Sequence, residues 1–558
     1  MTAVREAPAI GGRYKWIALS NTTLGVFIAT VDGSIVIISL PAIFRGIGLD
    51  PLAPGNISYL LWMIMGYLLV SAVLVVALGR LGDMFGRVRM YNVGFAIFAA
   101  ASIALSLDPF LGGAGALWLI GWRVVQAFGG AMLTGNSAAI ITDAFPAEQR
   151  GMALGINQIT ALAGQFIGLL AGGLLAVIDW HAVFWVSVPI GVVGAIWSYR
   201  SLREISTPKR ARIDWIGTIT FTAGTGALLA AITYGIQPYG GHSTGWTSPT
   251  VLSGLGLGLL LLVVFCIAET RIAQPMFRLG LFKIRAFAAG NIAALLTAIA
   301  RGGMQFMLII WLQGIWLPLH GYNFEDTPLW AGIYMLPLTI GFLAAGPVSG
   351  FLSDRFGARL FATGGLVLVV IAFLGLLALP VNFSYPVFAL LLFLSGAGQG
   401  MFSAPNTSAI MGSVPAADRG VASGMRSTFQ NSGTSLSIGV FFSLMIVGLA
   451  SSLPTTLTAG LTAQGVPLAT ARSVASLPPV STLFAAFLGD SPIAHLLAPS
   501  GVLKTLPPDH VAALTGNTFF PELVSGPFHD GLITVFGAAA VMAAVAALAS
   551  LLRGRTAR

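Results

Sequence analysis

The sequence predicts an all-α integral membrane protein with about fourteen transmembrane helices, and three observations carry that reading. Hydrophobic residues make up 56% of the chain and charged residues only 8%, against roughly a quarter in an ordinary soluble domain. The apolar residues gather in runs near the ~20 residues that a helix needs to cross a bilayer. The cations sit in short segments between those runs, on alternate sides. A mean hydropathy of +0.88 leaves too little polar surface for a chain that faces water all round.

The runs fall at 17–40, 58–79, 88–107, 114–141, 152–177, 182–199, 215–234, 250–268, 286–312, 329–351, 360–380, 386–411, 421–449 and 531–552. An even number of crossings puts both termini on one side. Nearly all of the 28 Lys and Arg residues then share that side, which the positive-inside bias makes cytoplasmic. The exceptions are Arg45, Arg472 and Lys504 outside, with Arg123 and Arg301 within the membrane. The expected location is therefore a plasma membrane, specifically a bacterial inner membrane, spanned many times with both termini cytoplasmic. The first span serves as the membrane address.

Composition also excludes classes. A net charge of +9 points to nucleic acid only on a soluble domain, and none is present, so no nucleic-acid partner is expected. Cys266 is the only cysteine, and the six histidines are scattered among outer segments, so no metal site is expected. No G-x-x-x-x-G-K-[ST] loop is present for nucleotide phosphates, and no nucleophile, base and ligand set shares a depth, which argues against an enzyme. The stretch 451–530, rich in Pro, Ser, Thr and Leu, has apolar pieces too short to span. It reads as an outer cap or as interfacial helices.

An internal repeat organises the chain. GRLGDMFGRVR at 79–89 matches GFLSDRFGARL at 350–360, an offset of 271, and PAEQRGMALG at 146–155 matches PAADRGVASG at 415–424, an offset of 269. Parallel repeats of about six spans are the internal symmetry of one large transporter architecture. The organisation expected is a cytoplasmic N-terminus (1–16), an N-terminal six-helix bundle (17–200), basic inner loops with an inserted helix pair (201–285), a C-terminal six-helix bundle including the outer loop (286–552), and a cytoplasmic C-terminus (553–558).

These motifs resemble the major facilitator superfamily, in particular its fourteen-span drug:proton antiporter branch. The signature between helices 2 and 3 is matched at Gly79, Leu81, Asp83, Gly86, Arg87 and Arg89, and its repeat at Gly350, Asp354 and Gly357. VDGSIVIISLP at 31–41 resembles the branch's helix 1 pattern at Asp32, Ser34 and Pro41, and LIGWRVVQAFGGA at 119–131 resembles its helix 4 motif at Arg123, Gln126 and Gly129. WHAVFWVSVPIG at 180–191 resembles the start of helix 6. The helix 5 antiporter motif is similar at Gly164, Gly168, Gly172 and Gly173, but Leu169 replaces its proline. Small residues at that spacing let helices approach closely, so close packing is expected to survive while the proline kink is not. The resemblance implies a proton-coupled exporter of lipophilic or amphipathic small molecules, a multidrug efflux carrier working as a monomer in membrane lipid. It would need no cofactor beyond the proton gradient. Export of one dedicated product, such as a natural product, siderophore or lipid, is the alternative.

Ionisable groups inside a membrane require explanation. Asp32 is the only acidic residue deep in a span, roughly 12 Å from the outer end at the helical rise. Arg123 lies at a matching depth, roughly 9–14 Å, so the two form a candidate proton-coupling pair. Burial and a neighbouring guanidinium act on a carboxylate's proton affinity in opposite directions, so moving one partner would switch it. A static structural ion pair is the alternative, although buried pairs are a poor route to stability. Asp83 and Asp354 are expected to cap the starts of helices 13 and 5 when the inner side closes, since helix N-termini attract carboxylates. Arg87 and Arg89 would pair with acidic neighbours, and a topology signal alone is the alternative. Arg301 lies roughly 21 Å from Phe287, with no buried acid in its own half. It could pair with Asp32, contact an anionic substrate, or reach toward Glu325 and Asp326. Candidate cavity residues are Tyr67, Asn157, Gln158, Gln165, Arg301, Gln305, Gln313, Tyr334, Asn406 and Gln430, because drug-sized ligands bind by apolar contact with a few polar anchors.

Overall fold

The computed structural model describes residues 13–50, 55–146, 149–205, 214–272, 275, 277–415, 418–488 and 492–553. Among them fourteen helices are long and apolar enough to cross a membrane. They are α1 (Tyr14–Gly46), α2 (Asn56–Phe85), α3 (Arg87–Ser106), α4 (Gly112–Ala144), α5 (Arg150–Ile178) and α6 (Ala182–Ser201). Then come α7 (Trp215–Gly235), α8 (Pro249–Arg271), α9 (Arg285–Leu319), α10 (Thr327–Tyr334 continued by Leu336–Phe356), α11 (Ala358–Leu377), α12 (Tyr385–Gly412), α13 (Arg419–Ala463) and α14 (Phe519–Leu551). We call the side on which α1 begins and α14 ends the terminal face, and the opposite side the far face.

The repeat is visible in the packing. In the first bundle α1 packs on α5, and α2 and α3 on α4; in the second α9 packs on α13, and α10 and α11 on α12. The turns at Gly86 and Gly357 have φ of +104° and +94°, a left-handed conformation that costs glycine nothing and other residues strain. This is why both copies of the signature keep that residue. Gly79 and Gly350 face Gly135 on α4 and Ala404 on α12 in corresponding ways. The helices α7 and α8 pair with each other; α7 also rests against α2 and α13 at the seam of the bundles, while the α8 face is largely exposed.

The bundles meet from the middle of the membrane to the far face. There α5 and α1 pack on the Thr327–Tyr334 part of α10, and Ser435 of α13 donates to the Leu68 carbonyl of α2. A Cβ at Gly173 would lie 2.7 Å from the Pro328 carbonyl oxygen, so this glycine allows the crossing between bundles. An aromatic cluster of Trp316, Tyr322, Trp330, Tyr334, Phe383 and Tyr385 seals the same end.

The stretch 451–530 differs from expectation. The helix α13 continues to Ala463 and α14 already begins at Phe519, so the connection is shorter than the apolar run implied. The hydroxyls of Thr456, Thr458 and Thr462 bond carbonyls four residues back, so these polar groups are satisfied within the helix as it continues beyond the apolar zone. The short helix Pro479–Leu488 packs onto the bundles as a cap would: Val480, Leu483, Phe484 and Ala485 are fully buried, and the helix meets α1, α2, α9, α13 and α14.

Candidate functional site

On α1, Asp32 is fully buried, and its carboxylate forms an ion pair with Arg123 of α4. One turn along α4, Gln126 shares the load: its Nε2 donates to Asp32 Oδ1 at 2.9 Å and lies 2.9 Å from Ser102 Oγ of α3. Its Oε1 accepts from Arg123 at 3.0 Å, so both charged partners are held by the same amide. The Tyr67 ring of α2 lies 4.2 Å from the guanidinium, a cation–π contact, and its hydroxyl donates to the Ala29 carbonyl at 2.9 Å. The expected pair is thus present as a four-residue unit. Gln126 and Ser102 were not expected in it; polar side chains at matching depth on α3 and α4 were the available signal.

A cavity of about 1230 Å³, counting its open mouth, lies between the bundles. Tyr67, Gln158, Gln165, Arg301, Gln305 and Gln430 line it as expected. Asp32 does not; Tyr67 forms the wall in front of it. Arg301 donates to Gln165 Oε1 at 2.9 Å, and Gln165 Nε2 donates to Gln305 Oε1 at 3.2 Å. Arg301 therefore bonds neither Asp32 nor Glu325 nor Asp326. A second chamber shares Leu162, Arg301 and Gln430 with the first and adds Gln399, Asn406 and Arg426.

Three expected cavity residues are elsewhere. Asn157 turns into its own bundle and donates to Ser137 Oγ at 3.0 Å. Gln313 is fully buried, and its amide lies 3.4 Å from the Ile38 carbonyl. Tyr334 bonds the Tyr322 hydroxyl at 2.8 Å in the far-face cluster. Each spends its polar group on the protein, which a linear sequence does not show.

The α2–α3 turn forms a second charged cluster at the terminal face. Arg87 bonds Asp83 at 2.7 Å and Asp143 at 2.6 Å, and Glu204 accepts from the first amides of α3 at Arg87 and Val88. Asp83, expected on the start of α13 in a closed state, here faces Arg87, and Arg89 is exposed. The side chain of Asp354 lies outside the described residues, as do residues 147, 148, 416 and 417 of the two turns. On α5, a Cβ at Gly164, Gly168 or Gly172 would lie 2.9, 2.5 or 2.6 Å from carbonyl oxygens of α1. The stripe packs closely with Leu169 in the proline's place, and α5 runs unbroken through it. No cluster of His, Cys, Asp and Glu able to hold a metal occurs among the described residues.

The family profile described as Major Facilitator Superfamily matches residues 22–312 and 207–438. The chain belongs to that superfamily. Its fourteen helices and its relatives fit the fourteen-span drug:proton antiporter branch, and as a transporter it is not an enzyme. This facilitator is 27% identical to the tetracenomycin C resistance and export protein of Streptomyces glaucescens, over 98% of this chain and 94% of that one. It is 30% identical to the methyl viologen resistance protein SmvA of Salmonella typhimurium, over 81% and 86%. It is 28% identical to the riboflavin transporter RibZ of Clostridioides difficile, over 78% and 90%. Among solved structures, the inward-facing bacterial homologue of the lysosomal transporter Spinster aligns with a TM-score of 0.56 at 16% identity, over 97% and 98%, a likeness of fold.

Proposed function

We propose that this facilitator is a proton-coupled exporter of amphipathic small molecules, working by alternating access in a bacterial inner membrane with its terminal face cytoplasmic. The observation that carries the reading is the buried Asp32–Arg123–Gln126 unit behind Tyr67, on the wall of a cavity between two bundles. Tyr67 touches both sides of that wall, so a ligand pressing on its ring also acts on the guanidinium that neutralises Asp32. Displacing Arg123 leaves a desolvated carboxylate without its counter-ion, which favours taking up a proton. A proton can drive the rocking of the bundles only if the two orientations bind it differently, and this coupling supplies the difference. The packing of the bundles against each other at the far face fits the loading state of an exporter. The names of relatives above support small-molecule export and leave the choice between many substrates and one dedicated product to assay. No cofactor is required, and the chain is read as a monomer.

The test is efflux from cells carrying a panel of fluorescent amphiphiles of either charge, with and without a proton gradient. Parent protein is expected to lower accumulation only with the gradient, and Asp32→Asn to abolish this at equal membrane abundance. Efflux that persists in Asp32→Asn, or that ignores the gradient, removes proton coupling from the account.

A further inference from the structure

The charges that face the cavity do not balance. Asp32 and Arg123 cancel each other behind Tyr67. Every remaining described side chain on the walls of the two chambers is neutral, except Arg301 and Arg426. Neither has a carboxylate within ion-pair distance among the described residues, and α9, α12 and α13 carry no acidic residue within their spans. Arg301 has one neutral acceptor, Gln165. Arg426 is 8% exposed, bonds no described residue, and has a buried Nε without a partner.

Its neighbours offer nothing. Asn406 of the same chamber gives its Nδ2 to the Gly290 carbonyl, and its Oδ1 accepts from Arg553 at the end of α14. That Asn406 oxygen is thus already taken by another cation and is not left for Arg426. Gln399 donates to Ser395 within its own helix. An uncompensated guanidinium out of water is costly. A planar fork of donors is also the group best matched to an oxyanion.

We propose that the cavity takes amphiphilic organic anions, with a carboxylate or a similar oxyanion head held between Arg301 and Arg426 and the apolar body along α1, α5 and α9. The apolar part of the site fits such a body: Ile37, Leu162, Leu169, Phe306 and Ile309 line the chamber on the Tyr67 side of Arg301. Gln165 and Gln305 form a relay from Arg301 across both bundles, so an anion that draws Arg301 away from Gln165 alters a contact between them. The proposal rests on the export reading only in treating this cavity as the transport site.

The experiment is equilibrium binding to purified full-length protein in neutral detergent, without any gradient. The probes are 11-(dansylamino)undecanoic acid, its methyl ester and the matching trimethylammonium compound. The acid is expected to bind at least about tenfold more tightly than the ester, and the cation more weakly still. Arg301→Gln and Arg426→Gln are each expected to weaken the acid about fivefold or more and the ester less than twofold, with Arg301→Lys keeping part of the loss back. Binding of the ester also reports that a variant is folded. Should a variant not fold, the parent decides alone: raising sodium chloride must weaken the acid and spare the ester. An acid that binds the parent no better than its ester, or arginine variants that weaken acid and ester alike, overturns the proposal. Selective binding of the acid with no gradient-driven efflux would instead leave this site standing and remove the proton-coupling account.

Discussion

The two bundles repeat one architecture and place side chains of opposite charge at one corresponding position in it. Gly164 on α5 and Gly433 on α13, 269 residues apart, take corresponding places: a Cβ on either would lie 2.9 or 3.0 Å from the carbonyl of Phe27 or Leu295. That register sets the counterpart of Asp32 at residues 300–301, where the second bundle carries Arg301. The partner Arg123 has an apolar counterpart near Leu392 and Phe393. The first bundle therefore holds a closed ion pair behind the Tyr67 wall, and the second presents a cation without a carboxylate partner directly to the cavity. The difference teaches that gene-level symmetry supplied the scaffold while function divided between the halves: one stores charge internally and the other displays it.

Packing is divided in the same way. The close approach of α1 and α5 depends on Gly164, Gly168 and Gly172 on α5. At the positions of Gly168 and Gly172 the second bundle has Ser437 and the fully buried Phe441, and the small residues move to the partner helix as Gly302 and Gly303. Which helix carries the glycines is interchangeable; that one of each pair carries them is not.

The sharpest way to break the comparison is to open the closed pair. Arg123→Gln leaves Asp32 buried beside a neutral group and is expected to destabilise the folded protein by about 3–5 kcal/mol, whereas Arg301→Gln removes an unpaired cation and is expected to be neutral or stabilising. Thermal unfolding in detergent of both variants checks this, and equal losses would make the halves electrostatically alike. Next in size, Gly168→Leu and Gly303→Leu should each cost about 1–3 kcal/mol by overpacking, read by the same unfolding assay. Gly155→Leu, whose Cβ meets nothing within 4 Å, should be silent. A smaller effect than at the buried glycines is expected at the Asp83–Arg87–Asp143 cluster, which has no full counterpart because Ala358 and Gly412 stand where Arg87 and Asp143 would. Asp143→Asn, half-exposed as the cluster is, should change stability by about 1 kcal/mol or less. Accessibility of a cysteine placed on each face would show whether it alters the balance of orientations.

The fold was legible because crossing a bilayer imposes a length and a polarity that the chain states openly. The repeat at 79–89 and 350–360 added the pairing of halves, and Gly86 and Gly357 are where the backbone demanded it. The pair Asp32–Arg123 was legible too, since two lone charges at one depth have few other partners. What escaped was direction around each helix. Asn157, Gln313 and Tyr334 have the polarity of cavity residues and spend it on protein partners, while Arg426, counted from the sequence with the inner-side cations near the start of its span, faces a chamber. Segment 451–530 misled because hydropathy marks where a helix leaves lipid and not where it ends.

The helix Pro479–Leu488 carries a mechanical consequence. Phe484 stacks on Phe442 of α13, with 5.3 Å between ring centres, and Phe442 meets Phe306 of α9 at 5.0 Å, a residue that already lines the cavity. A stretch of connecting chain thus closes the cavity off on that side through a chain of stacked rings. On the export reading, discharge on that side would require either that this helix be drawn out against its apolar seat or that it travel with the lobe it grips.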